Sequence, residues 1–189
     1  MTVYEFNPNK LPDDYLRAIG LVISCASQTE EIMRSFLGAL LGADIIETIA
    51  LGTHMSLPMK DDIIRAVVEL NAPSASAVDE VDDILDNIRA AMQLRNEVAH
   101  NAFAIHPDSG EIYSLREKAR GSLQAEIKPV KVEELLAVAD QVYGAGMALQ
   151  EYMIKSGVGP RMREKQLREP LNRRKKAREQ RRADFGDRY

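Results

Sequence analysis

Over residues 15–41 the apolar side chains Ile19, Val22, Ile23, Ala26, Met33, Leu37, Leu40 and Leu41 recur at helical spacing, after an extended leader at 1–11. Pro12-Asp13-Asp14 supplies a start, with two carboxylates against the positive end of the helix dipole, and Gly42 a stop. Residues 44–50 fit two helical turns closed by Gly52, and 55–70 a further helix with Pro58 near its start. The clearest helix spans 78–102. Its seam is Val78, Val81, Leu85, Ile88, Met92, Arg95, Ala99 and Ala102, spaced three and four apart in strict alternation. The period then becomes two over 102–106 and 111–115 around Pro107-Asp108-Ser109-Gly110, which predicts a β-hairpin, with a third short strand within 123–130. A last helix covers 132–155 and ends at Gly157-Val158-Gly159-Pro160. The expectation is an all-α fold, an antiparallel four- to five-helix bundle carrying a small β-hairpin after the helix at 78–102.

At 189 residues the chain suits one domain, placed at 1–158, with a basic, flexible C-terminal tail at 159–189. Cys25 is the single cysteine, which excludes a disulfide framework and a cysteine-based zinc cage. The first residues lack a basic region followed by an apolar one, and the longest apolar stretch, 19–26, is far short of the ~20 residues of a membrane helix. A cytoplasmic protein with no membrane partner is expected. The net charge of −4 hides a division: residues 161–189 hold 12 of the 25 Lys and Arg but 5 of the 29 Asp and Glu, leaving 1–160 at −11. The densest run, Arg173, Arg174, Lys175, Lys176, Arg178, Arg181 and Arg182, has no interleaved aromatics. Any RNA it binds would be held through phosphates, with little sequence preference.

The chemistry concentrates in Gln93-Leu94-Arg95-Asn96-Glu97-Val98-Ala99-His100. Arg89, Gln93, Asn96 and His100 share one helix facet, a polar ridge beside the apolar seam. Arg95 lies on the seam itself, about 140° around from His100 at 100° per residue. A guanidinium there needs an anion, and Glu30, set among Val22, Ala26, Met33 and Leu37 on the first helix, is the expected partner, with Glu31 second. An imidazole titrating near neutral pH beside an arginine is what RNA transesterification requires, the one to move protons and the other to cover the phosphate. Asp79, Glu80, Asp82, Asp83 and Asp86 form an acidic cluster with no histidine nearby, and no metal ligand set is assigned. No glycine-rich phosphate loop is present, and no cofactor is expected. Gly144 and Gly146 suit close helix packing, Cys25 a packed position, and His54 and His106 carry no recognisable spacing.

Arg95-Asn96-Glu97-Val98-Ala99-His100 resembles the signature of HEPN domains (higher eukaryotes and prokaryotes nucleotide-binding). The resemblance extends over residues 12–157: a long first helix bearing a Glu, a second with Pro58-Met59-Lys60 before an apolar run, the signature helix and a closing helix. It implies a homodimer through the signature helix and a metal-independent endoribonuclease with a composite site, in which Arg95 and His100 are catalytic and Asn96 supports them. RNA, and a partner antitoxin or nucleotidyltransferase, are the partners it implies, with a role in defence or stress. The family also contains inactive members that bind nucleotide, RNA or protein.

Overall fold

The computed structural model describes residues 4–119, 123–161 and 180. Helix α1 (Asp13–Leu40) is the long spine that the apolar spacing predicts, and at about 1.5 Å per residue it spans roughly 42 Å. Helix α2 (Ile45–Gly52) opens on a capping box: the Asp44 carboxylate accepts from the backbone N–H groups of Ile46 and Glu47, and Glu47 accepts from the Asp44 N–H. Helix α3 (Leu57–Asn71) carries Pro58 in its first turn and Ser56 as its cap. Helices α4 (Ala75–His100) and α5 (Val132–Ser156) complete the set, the latter closed by Gly157 at φ 68°.

Between α4 and α5 lies a three-stranded antiparallel sheet in the order β1 (Ala102–Ile105), β2 (Ile112–Ala119), β3 (Leu123–Pro129). The expected hairpin is thus two strands of a three-stranded sheet. The leader does not stay extended: Pro8–Lys10 form a 3-10 turn, and Glu5 exchanges backbone hydrogen bonds of 3.0 and 2.9 Å with Ile105 on the open side of β1.

The expectation of antiparallel helices fails for the largest helix pair. The Tyr15 hydroxyl donates to Val130 O just before α5 (2.9 Å), Thr29 Oγ1 reaches Val142 O (3.1 Å), and the rings of Phe36 and Tyr152 meet edge to face at 5.9 Å. The contacts climb both helices together, so α1 and α5 run parallel. The chain can do this because α2, α3, α4 and the sheet all intervene and return it to its starting end. A close approach marks the crossing: a methyl group at Gly146 would stand 2.5 Å from Thr29 Oγ1. Gly144, by contrast, faces open space, so only one of the two glycines serves packing.

One apolar core unites the helices. Val22, Ala26, Met33, Phe36 and Leu37 of α1 meet Ile64 and Val68 of α3, Val81, Leu85, Ile88 and Met92 of α4, and Leu135, Val142 and Leu149 of α5. The seam of α4 holds as far as Met92 and then departs from expectation. Ala99 and Ala102 are exposed, and Val98, about 100° around, is buried instead. Helices packed at an angle change contact side along their length, and the buried face of α4 moves off this line near its C-terminal end. Beyond α5, Val158 packs on the core and Arg161 O accepts from Ile45 N–H (3.2 Å).

Candidate functional site

Arg95 occupies the last third of α4 where the seam turns. Its Nη2 donates to Glu30 Oε1 of α1 at 2.6 Å, the pairing expected from the two seams. The pair is only partly withdrawn from water, with side-chain exposures of 22 % for Arg95 and 37 % for Glu30. Among the described residues this is the one of the five guanidinium N–H donors that is engaged, and Nε, sealed from solvent, meets no acceptor. Glu31, the second candidate, pairs with Arg34 on its own helix.

Asn96, Gln93, Arg89 and His100 are exposed, forming the ridge that the helical facet predicts. His100 is the last residue of α4, where the helix leaves its final carbonyls unpaired and favours positive charge. Arg95 and His100 are separated by five residues, about 7.5 Å along the axis and 140° around it.

A cleft of about 290 Å³ opens between α1, α3 and α4 beside this ridge. Its walls are apolar (Met33, Leu57, Pro58, Leu85, Ile88 and Met92), and its polar lining consists of Asp61, Arg89, Gln93, Arg95 and Asn96. His100 does not line it. Asp61, on α3, was not singled out by sequence, yet it organises one side of the cleft. Its side chain is 5 % exposed, with Oδ1 accepting from Arg65 Nε (2.8 Å) and Oδ2 from Arg89 Nε (3.0 Å). Arg65 also holds Asp82 and Asp86, each at 2.7 Å. Burial works against the Arg65 charge, but the hydrogen bond and charge of Asp61, with Asp82 and Asp86, outweigh it and raise its pKa. Part of the acidic cluster on α4 is therefore an ion-pair network binding α4 to α3. The signal was available: Asp61–Arg65 and Asp82–Asp86 are both i,i+4 pairs, and each places its two groups on one facet.

Among the described residues no group of three His, Cys, Asp or Glu side chains could hold a metal ion. His54 is exposed in the loop after α2. His106 has a structural task that spacing could not show: its Nδ1 accepts from Asp108 and Ser109 N–H (both 3.3 Å) within the β1–β2 turn, and its ring meets Tyr4 and Tyr113. Cys25 is buried, and desolvation together with the Asp140 charge pushes its thiol pKa up, away from reactivity. Arg173, Arg174, Lys175, Lys176, Arg178, Arg181 and Arg182 lie outside the described residues.

No described helix is long and apolar enough to cross a membrane. Comparison of the chain with protein-family models, with curated proteins and with solved structures finds no match in any of the three.

Proposed function

We propose that the chain is a HEPN-like, metal-independent endoribonuclease that acts in the cytoplasm as a homodimer through α4, in defence or stress. The observation that carries this reading is Arg95, on the rim of a cleft with one donor engaged among the described residues, one residue from the solvent-facing Asn96 and five before His100. In the reaction the 2′-hydroxyl loses its proton and attacks phosphorus, and the 5′-oxygen departs with a proton. The spare donors of Arg95 cover the non-bridging oxygens, His100 moves the protons, and Asn96 orients the phosphate. Within one copy Arg95 and His100 point about 140° apart, and one imidazole cannot serve at once as base and acid. A two-fold axis along α4 supplies the second histidine and brings both ridges to one phosphate. The basic run at 173–182 holds RNA near the site through its phosphates.

The test is incubation of the purified protein with RNA in EDTA. Cleavage leaving a 2′,3′-cyclic phosphate and a 5′-hydroxyl is expected, with DNA and 2′-O-methyl RNA inert. His100→Ala should lower the rate by roughly 10²–10⁴-fold, the usual worth of general acid–base assistance. Cleavage that needs Mg²⁺ and leaves a 5′-phosphate would overturn the reading. A second reading, a silent HEPN-like module that binds RNA, nucleotide or a partner protein, is favoured by the Arg95–Glu30 pair, which already neutralises the one cation on the seam. RNA binding without cleavage under the same conditions would select it.

A further inference from the structure

The cleft between α1, α3 and α4 has an unusual balance of charge. Both arginines that line it face a carboxylate: Arg95 faces Glu30, and Arg89 faces Asp61, which Arg65 also engages from outside the cleft. The pocket is therefore close to electrically neutral, although its rim is rich in hydrogen-bonding groups. A small anion would gain little there and would meet Asp61. A purely apolar ligand would fit the walls but make no use of the Gln93 and Asn96 amides, which stand exposed at the rim. What suits apolar walls of Met33, Leu57, Leu85, Ile88 and Met92 beneath a rim of amide and carboxylate groups is a flat, neutral molecule whose edge carries both donors and acceptors. About 290 Å³ is room enough for one heterocyclic base.

We infer that this cleft receives a single unstacked nucleobase of an RNA strand, next to the phosphate that Arg95 contacts. The inference rests on the RNA reading above, and holds for a cleaving or a silently binding protein alike. It names single-stranded RNA as the ligand class, because a base inside a duplex cannot leave the stack without the cost of unpairing and unstacking. The base lies against the Met33–Met92 wall, its edge meets Gln93, Asn96 and Asp61, and its phosphate stays outside at the Arg95 rim. Leu57, at the first turn of α3, forms the wall that a larger side chain would close.

The experiment compares two uncleavable pentanucleotides, both 2′-O-methyl, one with all its bases and one with none, by fluorescence anisotropy at fixed salt. The backbone charge is the same in both, so the difference reads the bases alone. The intact strand should bind about tenfold more tightly. Leu57→Trp should reduce its affinity to that of the abasic strand and leave the abasic strand unchanged. If Leu57→Trp does not fold, Gln93→Trp on the exposed rim takes its place. Equal binding of the two strands by the wild type, no binding of either, or a base-dependent difference that survives the blocked cleft would each overturn the inference. Displacement of the intact strand by octanoate but not by adenosine would overturn it in favour of an apolar acid. Absence of cleavage in EDTA bears only on the ribonuclease reading, because this measurement needs no turnover.

Discussion

Arg95 and Glu30 make one contact across two helices, and the partial exposure of both sets its worth. A fully buried pair broken from one side typically costs 3–5 kcal/mol, and an exposed one under 1. This pair lies between. Glu30→Ala, which strands the cation against the core, should lower stability by about 1–2 kcal/mol in urea denaturation, and Arg95→Met by less, since the methionine fills the same apolar site. Equal losses from the two changes would show that the guanidinium finds water as readily as it finds Glu30. The sequence disclosed this pair because each residue interrupts an otherwise apolar seam. It did not disclose that Asp61 is buried: the i,i+4 spacing signals its pair with Arg65, but Lys60 and Asp62 beside it are also charged, and spacing does not show which carboxylate the fold encloses. Periodicity locates a face, and cannot tell which of several adjacent charges the third dimension encloses.

At the scale of elements, the tight crossing of α1 and α5 at Gly146 and Thr29 makes a second prediction. Alanine in a helix interior is usually better than glycine by ~1 kcal/mol. At Gly146 its methyl group would be 2.5 Å from the Thr29 hydroxyl and 3.3 Å from the Thr29 Cα, so Gly146→Ala should instead destabilise by about 1–2 kcal/mol. Thr29→Ala in the double variant should recover part of this, and calorimetric melting of the four proteins tests the coupling. Helices α1 to α5 and the three strands were legible in the chain, because their apolar periods change from 3.6 to 2 and back, with glycine or proline at every junction except that of α4 with β1. Their mutual direction was not. Short links favour antiparallel neighbours, and that rule governs consecutive elements, whereas α1 and α5 are separated by everything else in the domain.

For the whole molecule, the uneven distribution of charge suggests a truncation. Arg161 O is tied to Ile45 N–H, so a truncation that removes residues 162–189 and keeps Arg161 should leave the domain folded. Loss of the basic run should weaken RNA binding and flatten its salt dependence, because fewer counterions are released. An unchanged salt slope in the truncated protein would assign RNA contact to the α4 ridge alone. Alkaline pH offers a further check. Burial, aided by the charges of Asp14 and Glu133, raises the pKa of Tyr15, and burial with Glu80 raises that of Tyr152, both above the ordinary 10.0. The folded state thus holds these protons more tightly than the unfolded state. Their contribution is complete below about pH 10 and is lost as pH rises through the higher folded values. Stability should fall above pH 10, and Tyr15→Phe should make the fall shallower.

The parallel pairing of α1 with α5 also has a consequence in time. The hydroxyl of Thr29 meets a carbonyl 113 residues further along the chain, and that of Tyr15 one 115 residues away. A ribosome adding about 5–20 residues per second needs roughly 6–23 s to cover that distance. Throughout that interval the apolar face of α1 is without its main partner, α5. The domain is therefore completed only once α5 has been made, and until then the side of α1 that α5 covers stays open.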